Sequence, residues 1–328
     1  MKIDWSLFPE EIVPNLKSHR IMKSIRQQPK IYTDTSDFTS ITYGDIIHVD
    51  DRFFIILGHT REGRFGIDSQ IKTWVPKVQD LMTNERFIIK LVFHETYELS
   101  IGQLKVTCFR SPEKEARVLE LVSDNPYFMH GNSVLDEVGN LVRILDIVDG
   151  RRLDNHIAKL GANHEEYVAE HLKDMLVHFL TSVAGIRLLH DNGLKHGDIR
   201  RDHIFVERDG GTFRWIDFDY DFYIPERPYA MDLFGLGNIL LFLLGKQNFR
   251  PGDVLTHPNM GEKVLKTIDT NDLSLLAQDK IFNLQKLFPY IPDSLNNILL
   301  HFSTGSQVFY NSVAEFQDEL QRAVDTLP

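Results

Sequence analysis

The sequence predicts an α+β chain of two lobes, a small antiparallel sheet-rich lobe followed by a larger helical one. Three observations carry this. From Asp45 to Val92 the apolar residues come in short β-rich runs broken by turn signals. One helical segment and two more strand-like runs follow. After Gly150 the apolar residues fall at helical spacing. The boundary is expected near Asp149-Gly150, with residues 1–42 as an N-terminal extension, 43–148 as the smaller lobe and 149–328 as the larger.

Each element has its own justification. Residues 1–42 carry Ser/Thr/Asp punctuation (TDTSDFTS) before the first clear strands. DIIHV and RFFIILG are strand-like and are separated by Asp50-Asp51. KTWVPKVQD and ERFIIKLVF read as a hairpin joined through Leu81-Met82-Thr83-Asn84. In EKEARVLELV, after Pro112, Ala116, Leu119 and Val122 stand at helical spacing. Cys108, just before this helix, is expected to be an ordinary half-buried residue. NSVLDEVGNLVRILDIV predicts two strands around Glu137-Val138-Gly139-Asn140. EEYVAEHLKDMLVHFLTSVAGIRLLHDNG predicts one long helix stopped at Gly193. HIFVE and TFRWIDF flank Asp209-Gly210-Gly211 as a hairpin. MDLFGLGNILLFLLG is apolar nearly all round and predicts a buried helix, with further helices to Pro328.

Composition narrows the function classes. The 328 residues are 42% hydrophobic, enough to bury a large core. The formal net charge of -11 argues against broad nucleic-acid binding, though a local basic pocket for a nucleotide is compatible with it. A single cysteine rules out an intramolecular disulfide and a cysteine-based zinc cluster. The N-terminus lacks the pattern of a secretory signal, and the longest apolar stretch, Ile239 to Leu244, is far short of the ~20 residues of a membrane span. A cytoplasmic location is the default expectation. His164, His171 and His178 recur every seven residues, two turns apart, and are expected to be surface or lobe-packing residues rather than to share a metal.

The segment LLHDNGLKHGDIRRDHIFVERDGGTFRWIDFD resembles the catalytic and metal loops of protein kinases, H-R-D-L-K-x-x-N followed by a hairpin and D-F-G. His196, Gly197, Asp198, Ile199, Arg200, Arg201, Asp202 and His203 occupy the first motif, and Asp217, Phe218 and Asp219 the second. Three further matches fall in order: Lys90 at the end of a strand, Glu115 in the following helix, and Asp232 in DLFGLG. The resemblance implies a bilobal protein kinase-like fold. It also implies an ATP-dependent enzyme using Mg²⁺ or Mn²⁺ and transferring the γ-phosphate to a hydroxyl-bearing substrate.

Residue roles follow from the same resemblance. Lys90, paired with Glu115, is expected to hold the α- and β-phosphates. Asp198 is expected to accept or orient the hydroxyl proton, and Arg200 to steady the transferring phosphate. Asp217 would bind the metal. His203 stands where the second ligand is normally Asn, and imidazole suits Mn²⁺ better than Mg²⁺. Lipopolysaccharide-core kinases also carry His there. Asp219 replaces the Gly of D-F-G and has two readings, a further metal ligand or a turn cap taking positive φ. The adenine is expected on the backbone of Asp146 and Val148.

The pattern also departs from the family. Gly58, Gly63 and Gly66 lack G-x-G-x-x-G spacing, and form either a flexible flap over the phosphates or an ordinary hairpin loop. Gly197 replaces the arginine that reads a phosphorylated activation loop, and the stretch from Asp219 to Asp232 is too short for such a loop. Together they argue against switching by phosphorylation there. His-Gly-Asp is shared with aminoglycoside and choline kinase-like enzymes, whereas the C-terminal helices look protein kinase-like. Ser/Thr protein, small-molecule and saccharide substrates therefore stay open, with a lean to protein. The rival class is a pseudokinase, a binding or scaffold module, supported by His203, Asp219 and the weak glycine loop.

Overall fold

The computed structural model describes residues 3–64, 67–101, 104–161, 163–277 and 279–328. In chain order the strands are β1 (Ile31–Tyr32), β2 (Ile46–Val49), β3 (Arg52–Arg64), β4 (Ile67–Asp80), β5 (Arg86–Lys90), β6 (Thr96–Ile101), β7 (Leu104–Arg110), β8 (Gly131–Leu135), β9 (Leu141–Asp146), β10 (Gly150–Arg152), β11 (Ile204–Glu207), β12 (Phe213–Trp215) and β13 (Tyr220–Tyr223). The helices used below are α1 (Val13–Ser18), α2 (Pro112–Leu121), α3 (Leu153–Ala158), α4 (His164–Glu170), α5 (Leu172–Asp191) and α6 (Ala230–Gly245). Among the described residues no helix is long and apolar enough to cross a membrane.

The chain divides into two compact units. The first comprises Met1–Glu95, Ser111–Asp124 and Met129–Ile147; the second comprises Thr96–Arg110, Asn125–Phe128 and Val148–Pro328.

The first unit is a seven-stranded sheet in the order β1-β2-β3-β4-β5-β9-β8. Only β1–β2 is parallel among these pairings. The run Phe53-Phe54-Ile55-Ile56 in β3 shows why the sheet needs cover on both faces. Alternate side chains of a strand point to opposite faces. Phe54 and Ile56 join Ile47, Val78, Ile89 and Ile144 in one core, and Phe53 and Ile55 join a second. That second core is closed by Phe8, Ile12, Leu16 and Ile21. Residues 1–42, expected as an extension, are therefore built into the first unit. Burying each such side chain is worth about 1.5–3 kcal/mol. Helix α2 starts where expected: Pro112 takes its first turn and the Ser111 side chain caps the Lys114 N–H.

The glycine-bearing ribbon is more ordered than a loop. Strands β3 and β4 stay paired out to Arg64 and Ile67, with register shifts at Ile56/Gly58, His59/Thr60 and Glu62/Arg64. Gly58 sits at a bulge with φ +141°. Gly63 lies inside the last of these, and Gly66 falls outside the described residues.

The second unit holds two small sheets, β10-β11-β12 and β13-β7-β6, and helices α3 to α6 with those that follow. The sequence predicts no strands in the β6–β7 stretch, which its lobe boundary places in the smaller lobe. It groups with the second unit because β7 pairs antiparallel with β13, from Tyr220↔Arg110 to Tyr223↔Thr107. Cys108 lies in β7 and is buried rather than half-buried. The single long helix expected up to Gly193 is two helices, broken at His171. The Asn163–Glu166 capping box gives α4 its own start, and Gly193 at φ +69° ends α5. His164 packs as expected, stacked on Phe288 at 3.6 Å. Helix α6 is buried almost throughout and carries Asp232 in its first turn.

Candidate active site

Asp232 organises the loop from His196 to His203. Its Oδ2 accepts the His196 N–H at 2.8 Å and the His190 ring at 3.0 Å, and its Oδ1 accepts the Gly197 N–H at 2.9 Å. Burial alone would raise the pKa of this carboxyl, but the bonds from His190 and the loop amides hold it below the usual value. A charged acceptor taking three donors is thus fixed at the start of a buried helix, and it sets the loop backbone.

Gly197 follows from this geometry. Its φ is +87°, and a Cβ there would lie 1.7 Å from the Tyr220 carbonyl oxygen. No side chain fits, so the missing arginine of the motif has a steric cause in β13.

The chemistry-bearing groups of the second unit converge next to this point. The Asp198 side chain keeps 22% of its exposure. Burial raises its pKa, against the opposing pull of His203 and Arg200. His203 is buried, with Nδ1 2.9 Å from the Asp198 carbonyl oxygen and Nε2 3.5 Å from Asp217 Oδ2. A carbonyl only accepts, so Nδ1 carries the hydrogen. In the neutral ring Nε2 then turns its lone pair toward the Asp217 carboxylate. A protonated ring would instead donate from Nε2 to Asp217, so the space between the two groups is suited to a proton or to a metal ion. Donation of the other ring N–H to a carbonyl is also the usual support of a metal-ligating His.

Asp217 itself has φ +60°, a conformation that Asp tolerates better than most residues. The turn-cap reading of Asp219 placed positive φ there; the backbone puts it at Asp217. Phe218 is fully buried, edge-on to Phe128 and His196. Asp219 Oδ2 accepts from Arg110 Nη1 at 2.6 Å, with both side chains buried. Burial opposes the Arg110 charge, yet Asp219 keeps its pKa above the ordinary value. Asp219 thus joins the end of β7 to the start of β13, and Lys195 adds bonds to Asp221 Oδ1 and the Phe222 carbonyl.

Arg200 lies 3.8 Å from Asp198 Oδ2 and makes a two-point pair with Asp202. Despite burial, that bond holds the Asp202 pKa down to about 2. Among the described residues no group of three or more His, Cys, Asp or Glu is placed to cage an ion. Mg²⁺-type ions need no cage, since one or two protein ligands serve beside water and phosphate oxygens. Asp217 and His203 fit that mode.

In the first unit, Lys90 Nζ donates to Glu115 Oε1 at 2.7 Å, both groups being buried. Glu115 Oε2 also takes Arg143 Nε at 3.2 Å, while Arg143 bonds the carbonyls of Leu91 and Leu141. The Asp146 N–H is bonded to the His130 carbonyl. Four participants escaped the sequence reading: Arg143, Arg110, His190 and Lys195. Arg143 had a signal, a charge inside the apolar run LVRILD, which demands a buried partner. Arg110 had none, because its partner is fixed only by the β7–β13 pairing.

No family model matches the chain. Curated relatives do. A sperm motility kinase of Mus musculus (Tcr mutant form) is 25% identical over 228 residues, covering 60% of this chain and 44% of that protein. The death-associated protein kinase dapk-1 of Caenorhabditis elegans is 22% identical over 207 residues, 62% of this chain and 13% of the relative. The probable serine/threonine-protein kinase MARK-B of Dictyostelium discoideum is 27% identical over 144 residues, 44% of this chain and 18% of the relative. The chain has a protein kinase-like fold.

This kinase-like chain spans less than half the length of these curated relatives. Among solved structures, the Cydia pomonella granulovirus kinase PK-1 aligns with a TM-score of 0.47 at 16% identity, over 80% of this chain and 92% of that one. The PknI kinase domain of Mycobacterium tuberculosis aligns with a TM-score of 0.46 at 14% identity, over 82% and 95%.

Proposed function

We propose that the chain is an ATP- and divalent-metal-dependent phosphotransferase that passes the γ-phosphate to a hydroxyl, with a Ser/Thr protein kinase-like acceptor. The observation that carries this reading is His203 set against both Asp198 and Asp217, on a loop fixed by Asp232. Phosphoryl transfer asks for alignment and charge neutralisation more than covalent help. Asp198 orients the acceptor hydroxyl and takes its proton. Its raised pKa moves it toward the range useful for a base. Arg200, within reach of Asp198, steadies the transferring group. Lys90, held by Glu115, supplies positive charge to the α- and β-phosphates. For adenine, the Asp146 carbonyl and the Val148 backbone are the groups proposed, since the Asp146 amide already has a partner.

Asp217 and His203 would hold the ion, which supplies charge neutralisation to the phosphate oxygens when bound. Asp219 is assigned to Arg110 and the β7–β13 pairing rather than to the ion. The test uses purified chain, labelled ATP, Mg²⁺ or Mn²⁺ and protein substrates or self-labelling. Transfer is expected, and Asp198→Ala is expected to lower it at least about a hundredfold. Activity untouched by Asp198→Ala would sink the mechanism. A thermal shift with ATP but no transfer under any condition would favour a non-catalytic nucleotide-binding module.

A further inference from the structure

A cavity of ≈ 590 Å³ opens beside the loop that carries Asp198, wholly within the second unit. Five cationic side chains line it: Arg152, Arg200, Arg201, Arg250 and Lys280. Two carboxylates line it as well, Asp154 paired with Arg152 and Asp202 paired with Arg200. The lining therefore carries an excess of three positive charges. Asp279, which reaches Arg250 at 3.0 Å from outside the lining, reduces the local excess to two. This stands out in a chain of net charge -11. A concave wall with a net positive charge concentrates its field on whatever enters.

Two further observations point to the occupant. Lys280 is held below the ordinary lysine pKa by burial and then by the charges of Arg201 and Arg250, so the cations repel one another across the space. The Asn248 Oδ1 atom in the same lining is buried and has no hydrogen-bond partner among the described residues. An acceptor in a cationic cavity suits a guest that joins an anionic group to a hydrogen-bond donor, as a peptide does through its side chain and its N–H. Arg200 gives the link to chemistry, because it lines the cavity and lies 3.8 Å from Asp198.

We propose that this cavity is a substrate subsite taking the anionic side chain, carboxylate or phosphate, of a peptide that carries the acceptor hydroxyl. The proposal rests on the phosphotransferase reading for the word substrate, but the binding itself does not. Arginine forks match carboxylate and phosphate oxygens, and Arg250 and Lys280 set the preference without belonging to the transfer machinery.

The test is fluorescence anisotropy on the full chain without nucleotide. The labelled peptides have alanine in place of the acceptor. One glutamate, phosphoserine or lysine is moved stepwise along either flank. Some glutamate or phosphoserine peptide should bind at least about tenfold tighter than its lysine counterpart, with the preference weakening as salt rises. Arg250→Glu, alone and with Lys280→Gln, should remove most of that preference while leaving the thermal shift with ATP unchanged. Phosphoserine above glutamate, or the reverse, identifies the oxyanion, and both support the subsite. Equal binding of acidic and lysine peptides, no binding by any acidic peptide, or a preference unchanged in the variants would overturn it. Acidic-peptide binding by a chain that transfers no phosphate would retain the subsite and reject the enzyme. Transfer indifferent to flanking charge would do the opposite.

Discussion

Asp198 carries its function at a cost to the fold. Burial disfavours its ionised form, so the carboxyl contributes stability while protonated and loses it as pH rises through the raised pKa. As a base it must be ionised. The rate of transfer should therefore fall on acidification from a pH above the ordinary carboxylate range near about 4, and a pH–rate profile would show this limb. Asp198→Asn should stop transfer yet unfold at the same or higher temperature near pH 7, an advantage that shrinks as the wild type protonates; a lower melting temperature at pH 7 would contradict the account. Gly197→Ala is a different case. The Cβ overlap with the Tyr220 carbonyl and the φ of +87° should together cost more than about 3 kcal/mol, read by urea unfolding. His203 supplies a third expectation. With Nδ1 committed to the Asp198 carbonyl, an imidazole nitrogen is offered beside Asp217, so ATP should bind better with Mn²⁺ than with Mg²⁺ in calorimetry. Equal or stronger binding with Mg²⁺ would refute that role.

The strand β13 depends on the buried Arg110–Asp219 pair. Removing one partner of a buried pair leaves an uncompensated charge, at about 3–5 kcal/mol. Arg110→Met should accelerate amide hydrogen exchange at Tyr220–Tyr223 by about a hundredfold or more, while the β11–β12 hairpin keeps its protection. Unchanged exchange at Tyr220–Tyr223 would show that the strand holds without the clamp. This element also marks the limit of sequence reading. The hairpins β4–β5 and β8–β9 and the helix α6 were legible because their turns, periods and apolar runs are local. Strand β13 was not, since four residues after a motif carry no period of their own and acquire one only from β7. Gly197 was read as a lost arginine for the same reason, its cause lying 23 residues away at Tyr220. Asp198, Asp217 and Glu115 were singled out by the resemblance of their motifs to protein kinases. Their partners Arg110 and Arg143 required the sheet registers.

At the scale of the molecule, the first unit owes the core around Phe53 and Ile55 to the N-terminal segment. Phe8, Ile12 and Leu16 stand four residues apart, but only Leu16 lies in the six-residue α1, so no sustained helical pattern marks the segment. Deleting residues 1–26 should expose the Phe53–Ile55 face and remove on the order of 6 kcal/mol or more from the first unit. A large fall in melting temperature, with loss of the ATP-induced shift, is the expected readout; a deletion variant as stable as the full chain would return these residues to the status of an extension.

The collision at Gly197 also bears on how such a chain can change over time. A single substitution cannot restore a side chain there, because the obstacle is backbone, the Tyr220 carbonyl. That carbonyl belongs to a strand held by β7 and by Arg110. Any route to an arginine at position 197 must first loosen β13 and pass through a less stable intermediate. The order of mutations is therefore constrained, and direct reversal is closed. A lineage carrying this arrangement would find new control more easily in residues of the cationic cavity, where Arg250 can be exchanged on the surface without moving the main chain.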